Sequence, residues 1–277
     1  MGFRINTNTA SINGQRNLNN TSREMESSFA KLSSGERITK AADDAAGLAI
    51  SEKLKASVRS GRQASRNAND GISLVQVAEG GLNEASSILN RMRELAMQSS
   101  NDTVGDTERG FSDLEYQNLK QELERISRTT EFNGTKLLDG STPQLDFQVG
   151  LNGSPEENQI SYSAPEMNAG IDNLGVSEVS VATKDSARDS LAKIDDAIGK
   201  ISGQRATIGS IQNRLVASSN NMDVYVENMA AANSRIRDVD MAEETAKQAK
   251  NNILSAAGTS VLAQTNAFGQ NALKLIG

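Results

Sequence analysis

Few residues of this 277-residue chain could take part in catalysis, and the residue types that are missing exclude most enzyme mechanisms. The sequence has no histidine and no cysteine, so it lacks an imidazole base, a thiol nucleophile and the commonest zinc ligands. The adjacent carboxylates Asp43 and Asp44 could form an acid and base pair, but at the start of a helix N-capping explains them more simply. Carboxylates, lysines and serines could still act, so an enzyme is disfavoured, and we expect no catalytic residue, no cofactor and no metal site.

The charge and hydropathy of the sequence limit the kinds of partner that the chain could bind. The net charge of −6 argues against a general nucleic-acid binder, because affinity for phosphates rests on lysine and arginine. No window approaches about 18 apolar residues, and the first stretch of the chain has no apolar core of a secretory signal, so we expect neither membrane insertion nor a cleavable signal. If the protein leaves the cell, a dedicated exporter has to carry it.

The elements that position these residues are predicted to be mainly helical. All three prolines, Pro143, Pro155 and Pro165, fall in one 23-residue window, while the ranges 1–142 and 166–277 are proline-free and show long helical periodicity. This distribution predicts two helical arms around a turn-rich insert. The fold class that follows is mainly α: a discontinuous bundle of long helices with paired N- and C-terminal coiled-coil helices and a small β-hairpin region in the middle.

In the middle of the chain, the spacing of apolar residues changes from a helical period to alternation. LDFQVGL (145–151) alternates apolar and polar residues, which predicts a half-buried strand. NGSPEEN (152–158) then fits a loop and QISYS (159–163) a partner strand, and SEVSVAT (177–183) could add a further strand. We therefore place a β-hairpin insert at about 132–183.

Helical segments are predicted on both sides of the insert. A short helix is expected within 43–58, a longer one over about 58–100, a returning helix over 111–130 and a long helix from near Asp185. The helix predicted over about 58–100 carries three parallel heptad rows. Together these rows form an apolar face wider than one partner helix can cover. These rows are Val75, Leu82, Leu89 and Ala96, then Ala78, Ala85 and Met92, then Leu74, Gly81, Ile88 and Leu95.

Both ends of the chain carry a narrow apolar stripe of coiled-coil type. The N-terminal stripe includes Phe29 at a d-type position and ends at Gly35, a predicted helix C-cap. The two stripes are expected to pair, so that residues 1–43 and 237–277 form one segment and residues 44–236 a separate bundle. The stripe residues are Ile5, Ile12, Leu18, Met25 and Leu32 at one end, and Leu254, Val261, Phe268 and Leu275 at the other.

The last helix offers more apolar surface than one partner can bury. A large exposed apolar patch usually marks an interface, and a head-to-tail interface that does not close into a ring builds a helical filament. We therefore predict that the nine stripe residues form a self-assembly seam and that the main partner of this chain is itself, in a helical homopolymer.

Five longer stretches resemble bacterial flagellin. They are INTNTASINGQRNL (5–18), KLSSGERITKAADDAAGLAISEKL (31–54), SRNANDGISLVQVAEGGLNEASSILNRMRELAMQSSN (65–101), FNGTKLLDG (132–140) and SRIRDVDMAEET (234–245). The resemblance implies a structural subunit of the extracellular flagellar filament, exported by the flagellar type III apparatus and polymerised for motility. The short middle implies a form without large outer domains. The alternative is another axial flagellar protein, such as a hook-filament junction protein.

The resemblance also implies partners beyond the chain itself. A flagellin would meet an export chaperone and the cap and junction proteins of the flagellum. ILNRMRELAMQSSN (88–101) is similar to the stretch of flagellin that the innate immune receptor TLR5 engages, with Arg91, Leu95 and Glu115 at the matching positions. An arginine beside an exposed leucine would suit a binding hot spot. By spacing alone, Leu95 would instead belong to the core and Arg91 to a solvated face.

Overall fold

The chain is mainly α-helical in the computed structural model, which describes residues 8–274, with side chains up to residue 267 in the last helix. In that range the α-helices are α1 (Thr9–Ser34), α2 (Ala45–Ser99), α3 (Asp106–Thr129), α4 (Pro155–Asn158), α5 (Ile171–Leu174), α6 (Lys184–Arg237) and α7 (Met241–Lys274). The strands are β1 (Glu131–Phe132), β2 (Thr135–Lys136), β3 (Leu145–Gln148) and β4 (Gln159–Tyr162), and a 3₁₀ turn covers Ala164–Met167. The predicted class, mainly α with a small β region, is confirmed. None of the helices described is both long and apolar enough to span a bilayer.

The chain divides into two compact units. The terminal unit combines residues of Met1–Ser57 and Asn228–Gly277, and the central unit is Val58–Glu227. Both divisions fall inside the long helices α2 and α6. The limits at 43/44 and 236/237 that the sequence suggested lie instead close to helix ends, and they stay a prediction of how the chain divides into domains.

The core of the central unit is built from the apolar faces of α2, α3 and α6. The heptad rows of α2 are buried, apart from the half-buried Gly81 and Ile88, with Leu82 and Leu89 fully enclosed. They belong to one cluster with Tyr116 and Leu123 of α3 and with four isoleucines of α6. Those isoleucines are Ile194, Ile201, Ile208 and Ile211. Two helices, α3 and α6, therefore cover the wide apolar face of α2.

The prediction of two successive helices before residue 100 is wrong, because α2 runs unbroken from Ala45 to Ser99. The stretch 51–60 contains neither glycine nor proline, so nothing interrupts its backbone hydrogen bonds at the expected boundary. Asp44 begins this helix, since its Oδ1 accepts a hydrogen bond from the backbone N–H of Gly47 at 2.8 Å. The capping interpretation of Asp44 is thus confirmed.

The insert holds two hairpins, of which the sequence predicted one. Strands β3 and β4 pair antiparallel, with Leu145 opposite Tyr162, as the alternation of LDFQVGL predicts. Strands β1 and β2 form a second, tighter hairpin. Its turn is Asn133-Gly134, both with positive φ (50° and 78°), the conformation that makes Asn-Gly a strong two-residue hairpin signal.

The third strand that SEVSVAT could have supplied is absent from the structure in that range. Its backbone groups bond to side chains of α3 instead of to a neighbouring strand. The Oδ1 atom of Asp113 accepts hydrogen bonds from the backbone N–H of Val181 and from Ser180 Oγ, both at 2.8 Å. Lys120 Nζ donates to the carbonyl oxygen of Ser177 at 2.8 Å, so the segment is fixed without joining a sheet.

Candidate self-assembly surfaces

Helices α1 and α7 pack against each other in the terminal unit, and their contacts run in opposite chain directions. A methyl group placed on Gly14 would lie 3.7 Å from Leu262 Cγ, and one placed on Gly258 would lie 3.1 Å from Leu18 Cδ1. Each leucine therefore rests on a glycine of the other helix. Because each leucine lies against a residue without a side chain, the two helix backbones can approach closely.

The face of α7 that meets α1 is polar or small rather than apolar. Its buried and half-buried residues follow a strict four-three spacing, which is the heptad pattern of a coiled coil. Only Leu262 among them is a large apolar residue. The row is Glu244, Gln248, Asn251, Ser255, Gly258, Leu262 and Thr265.

The apolar stripe predicted for α7 lies beside that row and does not form the contact with α1. Leu254 is 46% exposed and Val261 is 54% exposed. The physical reason is side-chain size: α1 docks where glycine and serine permit close approach, so the branched side chains one position away face outwards. Of the other predicted stripe residues on this helix, Leu275 and the side chain of Phe268 lie outside the described residues.

Some residues of the stripe predicted for α1 pack in the pair with α7, and others face solvent. Leu18, Met25 and Leu32 are half-buried, whereas Ile12 is exposed. Phe29 is also exposed and does not fill a coiled-coil position in this pair. The helix ends at Gly35 as predicted, in the left-handed conformation with φ 71°, and the N–H of Gly35 donates to the carbonyl oxygen of Lys31. Ile5 lies outside the described residues.

The terminal unit therefore presents an apolar face to solvent. On α7 it consists of Ile253, Leu254 and Val261, and on α1 of Ile12 and Phe29. The stretch 251–273 contains no charged residue, so nothing in it opposes burial of this face. Several large apolar side chains left in solvent on one pair of helices are typical of a protein interface.

Two arginines hold the corner between α6 and α7. The Arg37 side chain donates from Nε and Nη2 to the carbonyl oxygen of Ile236, at 3.2 and 2.7 Å. Arg237 forms ion pairs with Glu36, at 2.9 Å, and with Glu52. Hydrogen bonds to Glu52 and then Glu36 raise the pKa of Arg237 above its ordinary value, although burial opposes the shift. The motif SRIRDVDMAEET thus acts as a fixed corner.

The aspartate that follows the corner begins α7. Asp240 Oδ1 accepts hydrogen bonds from the backbone N–H of Ala242, at 2.9 Å, and of Glu243, at 3.1 Å. Such a cap satisfies N–H groups that have no partner within the helix. The direction in which the last helix leaves the corner is therefore set by local contacts.

The residues predicted to contact TLR5 lie in the central unit and differ in exposure. Leu95 is only 2% exposed and belongs to the core, so its side chain is not the exposed leucine that the resemblance implied. Arg91 and Glu115 are exposed and bond to each other, with 2.8 Å between Nη2 and Oε1. Glu94 and then Glu115 raise the pKa of Arg91 through their hydrogen bonds.

A further apolar pair on α3 was not identified from the sequence. Phe111 is 71% exposed and Leu114 is also exposed. Both lie off the stripe of Tyr116 and Leu123 that faces the core. The start of α3 could have revealed them, because the helix begins at Asp106, five residues earlier than predicted, and places both residues on its outer face.

Long helices whose terminal pair leaves large apolar side chains exposed are the architecture of one class of protein: a structural, self-associating helical protein. Comparison with known proteins identifies the family. The profile of the bacterial flagellin N-terminal helical region matches residues 5–142, and that of the bacterial flagellin C-terminal helical region matches residues 191–276.

Individual relatives agree with the two profiles. Flagellin of Halalkalibacterium halodurans is 43% identical over 272 residues, which cover 98% of this chain and 99% of the relative. Flagellin of Bacillus subtilis is 42% identical over 308 positions, covering 99% of this chain and all of the relative. The crystal structure of Bacillus cereus flagellin is 32% identical, with a TM-score of 0.51 over 61% of this chain and 94% of that chain.

The chain belongs to the bacterial flagellin family. It is a structural subunit of the flagellar filament and not an enzyme. Its length fits a short form of the family. The insert between α3 and α6 lies entirely within the central unit.

Proposed function

We propose that this flagellin polymerises through the apolar face that the α1 and α7 pair leaves exposed. The observation that carries the proposal is the division of α7: apart from Leu262, small and polar residues meet α1, whereas Ile253, Leu254 and Val261 remain in solvent. An arrangement of this kind leaves apolar surface unburied within one chain. Neighbouring copies supply the missing cover.

Burial of this face would contribute substantially to assembly. Covering a large apolar side chain completely is worth about 1.5–3 kcal/mol, and side chains already half-buried would contribute roughly half of that each. The three α7 residues together would therefore supply on the order of 3 kcal/mol per subunit. Ile12 and Phe29 of α1 extend the same type of surface on the partner helix.

A single substitution tests the proposal. Val261→Asp places a charge on the exposed face, where it costs little in the isolated chain but several kcal/mol if a neighbouring copy buries it unpaired. We expect the variant to keep the circular dichroism spectrum of the natural chain and to lose sedimentable polymer in seeded assembly. Gln264→Asp, on an exposed polar position of the same helix, is the matched control and should still assemble. Polymer of normal yield from Val261→Asp would refute the proposal.

We infer that the chain is delivered outside the cell by the flagellar export apparatus and assembles there. The support is the family and the extracellular filament that it implies. Contacts with an export chaperone and with cap and junction proteins stay predictions from the resemblance. Pull-down of the full chain with each flagellar protein of the same organism would test them one by one.

We also retain a contact with TLR5 as a proposal, reduced to the exposed pair Arg91 and Glu115. Leu95 would support this surface from beneath, because it is buried under the same stretch of α2. Arg91→Ala should weaken binding to the receptor ectodomain, whereas Arg62→Ala, at another exposed position of α2, should not. Equal affinity of both variants and the natural chain, measured by surface plasmon resonance, would remove the proposal.

A further inference from the structure

Three asparagines of this chain are followed directly by glycine. They are Asn13, Asn133 and Asn152, and all three are exposed to solvent. Glycine has no side chain, so its backbone nitrogen can approach the side-chain carbonyl carbon of the preceding asparagine with little hindrance. An exposed Asn-Gly pair is therefore able to modify itself chemically, provided that its backbone is free to move.

The reaction is the intramolecular deamidation of asparagine. The glycine nitrogen loses its proton and bonds to Cγ of the asparagine, while the bond between Cγ and the side-chain amide nitrogen breaks. Ammonia leaves with that proton, and a five-membered succinimide ring remains. Water then opens the ring. Cleavage of the bond between Cγ and the ring nitrogen gives aspartate, whereas cleavage at the backbone carbonyl carbon gives isoaspartate, whose main chain runs through Cγ.

The fold restrains the first of the three pairs. Gly14 lies inside α1, where its N–H donates to the carbonyl oxygen four residues earlier. The side chain of Asn13 also accepts a hydrogen bond from Arg16 Nη2, at 2.9 Å. Attack on Asn13 therefore requires local opening of the helix, which slows the reaction.

The other two pairs lie in turns, and their reacting groups are free. Neither Gly134 nor Gly153 donates a hydrogen bond from its N–H to a residue in the described range 8–274. The carboxamides of Asn133 and Asn152 form no hydrogen bond within that range either. Asn133 and Gly134 form the tip of the first hairpin. Asn152 is held through its backbone, since its carbonyl oxygen accepts a hydrogen bond from Gln148 Nε2 at 2.8 Å.

We propose that Asn133 and Asn152 are sites of spontaneous deamidation, and that Asn13, in the same dipeptide held by a helix, is not. Both sites lie in the central unit and outside the faces of α1 and α7 proposed for polymerisation, so the inference does not depend on that proposal. Each conversion adds one negative charge at neutral pH to a chain whose net charge is already −6. Subunits of a long-lived filament would therefore become more acidic with age, without any enzyme.

Peptide mapping by mass spectrometry measures the conversion of each asparagine. The full-length chain is incubated in dilute solution at mildly alkaline pH, once folded and once in denaturant, in water labelled with heavy oxygen. In the folded chain, Asn133 and Asn152 should convert about tenfold or more faster than Asn13, since only Asn13 requires the helix to open. In denaturant the three rates should converge. Every product should carry one labelled oxygen, and isoaspartate should accompany aspartate.

Gly153→Val tests whether the glycine nitrogen is the attacking group. A methyl group at this position would meet nothing within 4 Å, and the backbone there is not left-handed, so the variant should fold normally. A branched side chain crowds the nitrogen and should slow the conversion of Asn152 about tenfold or more. Asn133, measured in the same sample, should keep its rate and serves as the internal standard.

Three results would overturn the proposal. The first is that Asn133 and Asn152 stay as intact as Asn13 in the folded chain. The second is equal conversion of all three asparagines in the folded chain, because restraint by the helix would then have no effect. The third is unchanged conversion of Asn152 in Gly153→Val, which would mean that no attack by the glycine nitrogen takes place. Polymerisation is tested separately by Val261→Asp, so failure of either proposal leaves the other standing.

Discussion

At the scale of single residues, Arg237 is the side chain on which the corner between α6 and α7 depends most. It is largely buried and bonds to two carboxylates and, from Nη1, to Ser51 Oγ at 3.3 Å. Hydrogen bonds that involve charged groups are worth about 1.5–3 kcal/mol each when buried, and less here because Glu52 is half-exposed.

Arg237→Met is expected to loosen this corner. Loss of the two ion pairs should speed amide hydrogen exchange in the first two turns of α7 by about tenfold, which corresponds to roughly 1.4 kcal/mol of local stability. Arg235→Met is the matched control, because Arg235 is exposed and forms no ion pair with another described residue. Equal exchange rates in both variants would show that the Arg237 ion pairs do not hold the corner.

Asp43 predicts a dependence of stability on pH. Its Oδ2 accepts hydrogen bonds from the backbone N–H of Lys40 and from the backbone N–H and hydroxyl of Thr39, each at 3.0 Å. These bonds, with that of Lys40 first, hold the pKa of Asp43 below its ordinary value. A carboxyl whose pKa is lowered by folding stabilises the native state above its unfolded pKa, near about 3.9. That contribution is lost as the pH falls through the lower native pKa.

The measurement compares Asp43→Asn with the natural chain. The difference between their unfolding temperatures should be largest near pH 6 and should shrink as the pH is lowered towards 3, because the natural residue then becomes neutral too. Asp196→Asn, on the exposed face of α6, should show a smaller difference throughout. A difference for Asp43→Asn that is independent of pH would contradict this account.

At the scale of elements, two adjacent glycines of α2 test how tightly the helix packs on the insert. A methyl group on Gly81 would lie 2.7 Å from both Leu138 Cδ1 and Thr130 Oγ1, whereas one on Gly80 would meet nothing within 4 Å. Leu138 is fully buried, so it has little room to move. Both positions have helical backbone, but Gly81 is closely packed and Gly80 faces open space.

Opposite effects are therefore expected from the same substitution. Gly81→Ala should destabilise the chain by about 1–3 kcal/mol through overpacking. Gly80→Ala should stabilise it by up to about 1 kcal/mol, because alanine favours the helix. Thermal unfolding followed by circular dichroism would measure both. A rise in unfolding temperature for Gly81→Ala would mean that α2 does not pack closely on Leu138.

At the scale of the whole molecule, folding of the bundle and assembly are expected to be separable. The buried cluster of the central unit draws all its members from within residues 58–227, so that part of the chain needs no side chain from either end to form its core. The apolar faces proposed to drive polymerisation belong to α1 and α7.

Removal of residues 1–43 and 237–277 should give a helical protein that stays monomeric. Loss of the exposed faces of α1 and α7 removes the proposed contacts between copies, while the core cluster is kept. Circular dichroism and light scattering would check the two properties. Sedimenting polymers from this fragment would place the assembly surface elsewhere, and loss of helix content would show that the bundle depends on the termini.

Much of this molecule could be predicted because apolar periodicity reports burial directly. The heptad rows of α2, the alternation of LDFQVGL and the glycine cap at Gly35 each specify a local structure by their own chemistry. The Asn-Gly dipeptide at 133–134 is an equally clear signal for the first hairpin. SEVSVAT was ambiguous, because the partners of its backbone groups are side chains of a distant helix.

The sequence alone determined which segments are helical, which faces of the long bundle helices are apolar, and that the ends carry unusually apolar surface. Only the tertiary structure decided which row of α7 meets α1. Two rows on that helix repeat every seven residues, one containing Leu254 and Val261, the other Asn251 and Gly258. Apolar periodicity selects the first, but contact between helices also depends on how closely their backbones can approach. That distance is set by the side chains of both helices together, and it favours the row with glycine.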